Sequence, residues 1–317
     1  MRSALVLALM LCTTGAFAAC PAVPRAPRDI IADSYYDDPP VYSHIDPVKY
    51  AAYEAAVGPI EDYLAAVARM ASSGKADDAQ CAVHWLAGWA EGDAMLGRIE
   101  KEQAHYERKW VLAGLALSYA KVRGAASRDE AATIDVWLKI LAYRVRQHSD
   151  ANNGVRNNHY YWEGLAVAAT GAVTGDKADL DWGRKVFTYA EIQIARDGTL
   201  PSELARGARA LHYHLFAAAP LAMLESILDV QSVEFGKLAD YCIAAMTDRD
   251  MVAKRAGAAQ IGVLDDDYDW LAVYSRHHRP LPQNLFGFGT SRKPFVARLG
   301  GALDKPNPLE HPIAESK

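Results

Sequence analysis

Two polar segments near the middle of the chain contain the side chains best suited to chemistry. Residues 157–162 read Asn-Asn-His-Tyr-Tyr-Trp, and residues 200–214 read Leu-Pro-Ser-Glu-Leu-Ala-Arg-Gly-Ala-Arg-Ala-Leu-His-Tyr-His. Amide and guanidinium groups donate hydrogen bonds to anions, whereas imidazole and phenol groups exchange protons. Together the two segments predict a site that binds an anion and moves a proton.

The first segment has the pattern of a helix start. Asn157 or Asn158 is a favourable N-cap, which places His159 in the first turn of the helix. The helix dipole disfavours a charged imidazole at that position, so we expect His159 to be neutral and basic. Trp162 follows three residues later and should share the same face.

The second segment is predicted to bring an arginine and a tyrosine together. Arg206 and Tyr213 are seven residues apart, which corresponds to two turns and predicts a shared face of one helix. Each feature alone has an ordinary structural explanation, such as a helix cap, a core tryptophan or a solvated arginine. His212 and His214 point in different directions on a helix and make a poor metal pair. The polar residues of both segments recur within helices that are otherwise rich in Ala and Leu, which favours a shared site.

The segments that must position this site are predicted to be helical. Apolar residues recur at three- and four-residue steps from Tyr50 to Val67, after a cap and first-turn proline at Asp46-Pro47. Similar patterns cover residues 76–96, 106–122, 129–148, 158–174, 178–195 and 201–228. Pro220 should kink or divide the last of these. A short helix is expected at 268–273, followed by a loop-rich tail from Arg279.

This pattern predicts an all-α fold. Neither a sustained strand alternation nor a fixed-period repeat is present, and no shift in composition separates two domains. The periodicity alone leaves a bundle, a solenoid or a closed toroid of helix hairpins open, although the absence of a repeat disfavours the solenoid.

The N-terminus has the pattern of a secretory signal. Arg2 precedes an apolar run to Leu11, and Ala16-Phe17-Ala18 suits cleavage after residue 18. We therefore expect a periplasmic protein whose residues 19–317 form a single domain. In that domain, residues 19–45 form an arm and residues 279–317 a loop-rich tail.

Export permits a disulfide. Cys12 leaves with the signal, and Cys242 lies in an apolar helical run typical of a buried thiol. The expected disulfide therefore joins Cys20 and Cys81. A lipid anchor on Cys20 is the alternative.

Composition and charge limit the classes of partner. A hydrophobic fraction of 51% with 23% charged residues excludes global disorder. A formal net charge of −5 disfavours nucleic-acid binding, and no stretch after the signal is apolar enough for a membrane span. An anionic substrate would require positive charge gathered in a cleft, for which Arg156, Arg206 and Arg209 are candidates.

The two polar segments together resemble the alginate lyases of polysaccharide lyase family 5. The resemblance rests on the Asn-Asn-His-x-x-Trp motif and on Leu-Pro, Glu-Leu, Arg206, Arg-Ala-Leu and Tyr-His within the second segment. Further similarities, in the same order along the chain, are Cys-Pro-Ala-Val-Pro at 20–24, Cys-Ala at 81–82, Trp85, Arg-Lys-Trp at 108–110 and Arg-Leu-Gly-Gly at 298–301. The resemblance covers nearly the whole chain after the signal.

This resemblance implies an incomplete α/α toroid with a deep cleft, and depolymerisation of a mannuronate-rich polyuronate by β-elimination with neither a metal nor another cofactor. It implicates Asn158, His159, Arg206 and Tyr213 as catalytic residues. Asn158 and Arg206 would donate to the uronate carboxylate and stabilise the enolate that forms when C5 loses its proton. Tyr213 would take and return the proton in the syn elimination of mannuronate or glucuronate. His159 would be the base in the anti elimination of guluronate.

The resemblance also identifies candidate substrate-binding residues. Tyr35 and Tyr36 correspond to a mobile lid, where the family commonly has a Lys-Tyr pair, and Trp162 is expected to form a sugar-stacking wall. His212 stands where a small residue is common, and a histidine can gain charge near neutral pH. Because mannuronate and glucuronate differ only at C2, we expect a broadened or pH-dependent substrate range that includes glucuronan or hyaluronan.

Two other functional classes remain open. A catalytically inactive polyuronate-binding protein should lack one of the four catalytic residues, yet all four are present. A glycoside hydrolase would need two carboxylates, for which Glu163 and Glu203 are candidates. The expected partner is an anionic polysaccharide rather than nucleic acid or a membrane, and the expected state is a monomer.

Overall fold

The computed structural model describes residues 20–39, 42, 44–151, 156–278, 281 and 293–311. The expected signal peptide, its cleavage site and most of residues 279–292 lie outside the described residues. Helices in the described part are α1 (Pro47–Ser72), α2 (Ala76–Glu91), α3 (Glu102–Val122), α4 (Arg128–Ala151), α5 (Asn158–Thr174), α6 (Lys177–Gln193), α7 (Pro201–Leu204), α8 (Ala210–Ile227), α9 (Val233–Thr247), α10 (Arg249–Ala256) and α11 (Leu271–His277). Strand β1 (Ile30–Ile31) pairs in parallel with β2 (Ile99–Glu100), and β3 (Phe295–Val296) pairs antiparallel with β4 (Gly301–Ala302). The all-α prediction is confirmed.

The helices form an inner and an outer layer. Helices α1, α3, α5 and α8 contact one another in this order, and α3, α5 and α8 are buried on almost every side. Helices α2, α4, α6 and α9 each bury one face. A helix that is apolar all round belongs in the interior, whereas an amphipathic helix covers it. The alternation of inner and outer helices along the chain builds an α/α toroid.

Two glycines allow α5 and α6 to pack closely. A Cβ atom at Gly164 would lie 2.6 Å from Cγ1 of Val186, and one at Gly183 would lie 2.5 Å from Cβ of Ala168. Both distances are shorter than a normal carbon–carbon contact, so a larger side chain would push the helices apart. This packing fixes α5, which carries the first polar segment.

The N-terminal arm is fixed against α2. Cys20 and Cys81 form the predicted disulfide, and Cys242 is a buried free thiol as expected. The indole Nε1 of Trp85 donates a hydrogen bond to the carbonyl oxygen of Pro21 at 2.9 Å. The arm is thus held by both covalent and polar contacts.

The arm ends at the predicted cap of α1. The Asp46 carboxylate accepts hydrogen bonds from the backbone N–H groups of Val48 and Lys49, at 2.8 and 3.0 Å, and Pro47 begins the helix. These bonds satisfy two of the donors that a helix start leaves free.

The segment 201–228 is where the helix prediction was wrong. Helix α8 continues through Pro220, and the break lies instead at residues 205–209, between α7 and α8. Gly207 has a φ of +56°, a left-handed conformation that interrupts a helix and favours glycine. Arg206 therefore lies in the break and does not share a helical face with Tyr213.

The C-terminal part also departs from the prediction. The helix expected at 268–273 is a 3₁₀ turn at Asp265–Tyr268 followed by α11. Within the described ranges, none of the helices combines the length and apolarity needed to cross a membrane.

Candidate active site

A cavity of about 1150 Å³ lies at one end of the inner helices. Its walls come from the arm, α1, α3, α4, the start of α5, the break between α7 and α8, α8 and two 3₁₀ turns, at Asp265–Tyr268 and Ala297–Leu299. The charged residues that line it are Arg156, Arg206, Arg209, Arg298, Asp33, Glu102, Glu163 and Asp267. The cavity as a whole is therefore balanced in formal charge. The positive charge expected for an anionic substrate must therefore be concentrated in one part of the cavity.

That positive charge is concentrated around Tyr213. The guanidinium carbons of Arg206 and Arg209 lie 4.2 and 5.7 Å from the centroid of its ring. Tyr36, from the arm, is hydrogen bonded to Tyr213 through the side chains. Burial and Tyr36 raise the pKa of Tyr213 to about 12, although the two arginines lower it. The arginines favour ionisation of the Tyr213 phenol, but burial opposes it more strongly. Tyr213 is therefore a neutral phenol in the resting site.

Tyr42 completes the surroundings of Arg206. Its ring centroid lies 4.7 Å from the guanidinium carbon, so the guanidinium contacts both Tyr42 and Tyr213. Tyr42 has a φ of +54°, a conformation that a tyrosine rarely adopts. No spacing in the sequence indicated Tyr42, because it lies in a loop without periodicity.

His159 occupies the position that the sequence predicted. Asn157 is the N-cap of α5, and its side-chain oxygen accepts a hydrogen bond from the backbone N–H of His159 at 3.1 Å. The imidazole stacks on Tyr106 with 3.7 Å between ring centroids. Burial is the main reason why the pKa of His159 falls well below its ordinary value, and Lys109 and Arg206 lower it further. His159 is therefore neutral, and its Nδ1 receives no hydrogen bond from the described residues, although the lowered pKa makes it a weaker base than an ordinary histidine.

A buried ion pair supports the imidazole stack. The side chain of Lys109 is 1% exposed, and its Nζ lies 3.1 Å from Oε1 of Glu163 and 4.3 Å from the centroid of the Tyr106 ring. Burial lowers the pKa of Lys109, whereas Glu163 raises it. The sequence indicated Lys109 only as part of a family motif and gave it no role.

Asn158 and Glu203 form a second buried pair, behind the cavity wall. Neither residue lines the cavity, and both are fully buried. Nδ2 of Asn158 donates to both carboxylate oxygens of Glu203 at 3.1 Å, and the backbone N–H of Asn158 donates to Oε1 at 3.0 Å. In this arrangement Asn158 faces Glu203, does not line the cavity and cannot reach a substrate carboxylate there. Glu203 is equally unable to act as one of two hydrolase carboxylates that flank a glycosidic bond.

The two tyrosines of the arm that are predicted to bind substrate both line the cavity. Tyr36 lines the cavity beside Tyr213, as described above. Tyr35 also lines it, and its ring packs against Tyr53 with 4.7 Å between centroids. Burial raises the pKa of Tyr35. The arm therefore contributes one wall of the cavity.

Trp162, the expected stacking wall, does not face the cavity. Trp162 is buried, does not line the cavity and donates its indole N–H to the carbonyl oxygen of Phe216 at 3.0 Å. Phe216 lines the cavity instead. Trp162 takes a core position because α5 is an inner helix with few exposed faces. His212 does line the cavity, and its Nδ1 lies 3.6 Å from Oδ2 of Asp267.

The turn at Ala297–Leu299 supplies the last cation. The guanidinium carbon of Arg298 lies 4.3 Å from the centroid of Trp110, and NH2 lies 2.6 Å from Oε1 of Glu61 and 3.9 Å from Oε2 of Glu107. These contacts join the turn to α1 and α3. In the described part of the chain, no group of three or more His, Cys, Asp or Glu side chains is arranged to hold a metal ion.

A sequence model of the alginate lyase family matches residues 31–253. The chain belongs to the alginate lyase family. A protein of Stenotrophomonas maltophilia named polysaccharide lyase is 38% identical over 314 residues, which cover 94% of this chain and 93% of that protein. The alginate lyase of Pseudomonas aeruginosa is 31% identical over 252 residues, which cover 74% of this chain and 68% of the relative.

The fold is also similar to that of a solved alginate lyase. Alginate lyase A1-III, in complex with a tetrasaccharide, superimposes with a TM-score of 0.75 over 96% of this chain and 88% of that chain, at 23% identity. A second structure of the enzyme, from Sphingomonas species A1, has a TM-score of 0.72 at 22% identity. The predicted incomplete α/α toroid is confirmed.

Proposed function

We propose that this protein is a lyase that cleaves the 1,4-glycosidic bonds of alginate, with a preference for mannuronate, by β-elimination. The observation that carries the proposal is the convergence on one cavity of two arginines, a buried tyrosine and a neutral histidine: Arg206, Arg209, Tyr213 and His159. The alginate lyases among the relatives support this class of reaction. The products would carry 4,5-unsaturated uronate ends.

Binding of the uronate carboxylate is the first requirement of this reaction. The C5 proton is only weakly acidic because the neighbouring carboxylate is already charged, so donors must stabilise the enolate that forms. Arg206 can offer a planar pair of N–H groups to the carboxylate, and its contacts with Tyr42 and Tyr213 restrict its orientation. Arg209 adds a second positive charge close to Tyr213.

Proton transfer then depends on the sugar. In mannuronate, H5 and the C4 oxygen lie on the same side, so ionised Tyr213 takes H5, the C4–O bond breaks, the C4–C5 double bond forms and the proton passes to the leaving oxygen. In guluronate the two groups lie on opposite sides, so His159 takes H5 and neutral Tyr213 donates to the leaving oxygen. The raised pKa of Tyr213 suits the second role directly. In the first role Tyr213 must lose its own proton before it takes H5, which the two arginines favour and burial opposes.

Product chemistry tests the proposal. Elimination creates a conjugated double bond with ultraviolet absorbance, so the assay compares mannuronan, guluronan, glucuronan and hyaluronan over a range of pH. Tyr213→Phe should abolish most activity on mannuronan. Tyr63→Phe is the matched control, because the hydroxyl of Tyr63 is buried without a hydrogen-bond partner among the described residues and lies outside the cavity.

Three results would contradict the proposal. Retention of most activity in Tyr213→Phe would remove the central assignment. New reducing ends without ultraviolet absorbance would indicate a hydrolase. Binding of mannuronan without any product would indicate an inactive polyuronate-binding protein.

The position of His212 in the cavity is the basis for proposing a broader range of polyuronate substrates. This residue lines the cavity one position before Tyr213 and lies beside Asp267. A gain of charge there would alter binding of a neighbouring uronate, so glucuronan or hyaluronan should be cleaved in a pH-dependent ratio to mannuronan. Identical mannuronan-to-glucuronan rate ratios in the wild type and His212→Ala at every pH would refute this role.

We also propose that the protein is exported to the periplasm as a monomer. The signal pattern of residues 1–18 and the Cys20–Cys81 disulfide support export. N-terminal sequencing of the protein from a periplasmic fraction should show residue 19 first, and sedimentation should give the mass of one chain. A lipidated Cys20 at the mature N-terminus would exclude the disulfide in that molecule.

A further inference from the structure

The turn that carries Arg298 lies directly on α3. Gly114 of α3 has no room for a side chain, because a Cβ atom there would overlap the carbonyl oxygen of Ala297. Gly300, at the end of the turn, has a φ of +83°, and a Cβ atom there would lie 2.6 Å from Cβ of Leu117. Glycine on both sides of the contact lets the backbone of the turn approach the helix closely.

A lysine in the last turn of α3 binds the backbone that follows Arg298. The Nζ atom of Lys121 donates hydrogen bonds to the carbonyl oxygens of Gly300 at 2.8 Å and Ala302 at 2.9 Å. The same atom donates to Oγ of Ser72, at the end of α1, at 3.2 Å. The backbone N–H of Ala302 also donates to Oγ of Ser72, at 3.1 Å. Lys121 and Ser72 thus connect this backbone to the ends of α3 and α1.

The charged form of Lys121 suits its three acceptors. Burial is the largest influence and lowers the pKa of Lys121 to about 8, and Arg276 lowers it further. Glu310 and Asp304 act in the opposite direction. The group is therefore an ammonium at neutral pH, with one N–H donor for each of the three acceptors. An apolar side chain would remove this donor from two backbone carbonyls beside Arg298.

Arg298 reaches the cavity from the backbone that Lys121 binds. Its side chain is 27% exposed and lines the cavity, so the guanidinium is accessible to a substrate carboxylate. The guanidinium lies on the ring of Trp110, as described above. Trp110 also contacts the imidazole of His159, with 5.8 Å between ring centroids. Arg298 is therefore one aromatic ring away from a residue of the proposed reaction.

We propose that Lys121 is a positioning residue for substrate binding: by holding the carbonyl groups of Gly300 and Ala302, it fixes the place from which Arg298 binds a uronate carboxylate in the cavity. This inference rests on the proposed lyase function and gives a role to a side chain that does not line the cavity. The uronate carboxylate is charged before and after proton transfer, so a change at Arg298 should affect KM much more than kcat.

Lys121→Met is the variant that tests this role. Methionine keeps most of the volume of the side chain and removes the three donors. On mannuronan at pH 7, Arg298→Ala should raise KM by about 10- to 100-fold, which corresponds to one hydrogen bond to a charged group. Lys121→Met should raise KM by about 3- to 10-fold, with kcat within about twofold of the wild type, because Arg298 is retained but less well placed.

A double-mutant cycle separates positioning from a general loss of stability. In the Arg298→Ala background, Lys121→Met should change KM by less than about twofold, because the side chain that it positions is missing. Arg298→Ala should fold, since Glu61 is partly exposed and Glu107 keeps two hydrogen-bond donors. An unchanged KM in Lys121→Met would overturn the inference. So would a rise in KM of equal size with and without Arg298.

Arg123→Met provides the matched control. Arg123 follows Lys121 by two residues, but its guanidinium pairs with Asp135 of α4, with 2.8 Å between NH2 and Oδ2. Its replacement should lower the free energy of unfolding and leave KM within about twofold of the wild type. A rise in KM in Arg123→Met as large as that in Lys121→Met would overturn the inference, because it would show that any loss of stability near this end of α3 weakens binding.

Ser72→Ala is a milder variant that keeps the inference testable if Lys121→Met does not fold. It removes one acceptor of Lys121 and the acceptor of the Ala302 N–H. KM should rise by about 2- to 5-fold, and this rise should disappear in the Arg298→Ala background. A KM equal to that of the wild type in Ser72→Ala would count against the positioning role in the same way.

The two proposals fail in different ways. If no polyuronate gives an ultraviolet-absorbing product, the lyase function is wrong. If product forms and KM does not depend on Lys121 through Arg298, only the role of Lys121 is wrong.

Discussion

Replacing Lys109 by methionine should destabilise the protein through the buried carboxylate that it pairs with. Lys109 is 1% exposed and Glu163 12% exposed at their side chains, with 3.1 Å between Nζ and Oε1. Methionine fills a similar volume but leaves Glu163 without its cation. Loss of one partner of a buried ion pair costs about 3–5 kcal/mol. Because Glu163 borders the cavity and retains some contact with solvent, we expect a value near the lower end, about 3 kcal/mol.

A double-mutant cycle measures this effect. The free energy of unfolding from urea denaturation should fall by about 3 kcal/mol in Lys109→Met and recover in part in Lys109→Met/Glu163→Gln, which carries no uncompensated charge. Lys185 is exposed on α6, so Lys185→Met should change the free energy of unfolding by no more than about 0.5 kcal/mol. Lys109→Met should also raise the pKa of His159, because Lys109 contributes to its depression.

Two outcomes would refute the reasoning. A loss below about 1 kcal/mol in Lys109→Met would mean that Glu163 is not left as a buried unpaired charge. Additive effects of the two substitutions would mean that the side chains do not interact energetically, whatever their distance. Titration of His159 by NMR in the wild type and in Lys109→Met measures its pKa separately.

Three further substitutions have expected outcomes. Tyr36→Phe removes a group that raises the pKa of Tyr213, so the alkaline-rising limb of kcat on mannuronan should move to lower pH, and an unmoved limb would contradict the pairing. Cys20→Ser opens a disulfide with a sequence separation of 61 and should lower the free energy of unfolding by about 4 kcal/mol, which urea denaturation with and without reductant would check. Gly164→Val forces methyl groups into Val186 and should cost at least about 1–3 kcal/mol, so an unchanged melting temperature would disprove the close packing of α5 and α6.

Local rules in the sequence predicted the parts of the fold that depend on local physics. Asp46 and Asn157 cap helices as expected, because capping needs only a side-chain oxygen and the next few backbone N–H groups. The disulfide followed from elimination of Cys242, whose apolar neighbours predict burial. These features require no knowledge of distant contacts.

Positions that depend on the layering of helices were harder to predict. Periodicity placed Trp162 on the face of His159, but an inner helix has core on nearly every face, so the indole is buried while Phe216 from α8 lines the cavity. Arg206 and Tyr213 do meet, although not because they share a helix. The break at Gly207 brings the guanidinium over the ring from outside α8.

The supporting partners could not be predicted from spacing at all. The position of Glu203 near the motif makes it a candidate hydrolase carboxylate, yet its partner is Asn158, which lies 45 residues away in sequence. Lys109 supports the stack under His159 from α3, and Tyr42 covers Arg206 from a loop. Such contacts arise from tertiary packing, for which a single sequence has no periodic signal.

The position of Arg298 near the end of the sequence determines when the cavity can be completed during synthesis. Arg298 closes one wall through Glu61 on α1 and Trp110 on α3, and the arm, which carries Tyr35 and is tied to α2, also lines the cavity. A chain emerging from a ribosome can build the helix hairpins in order, but this wall is missing until residue 298 has been synthesised. The polymer-binding cavity is therefore completed last, from both ends of the sequence, and a prematurely ended chain would contain most of the toroid without a complete cavity.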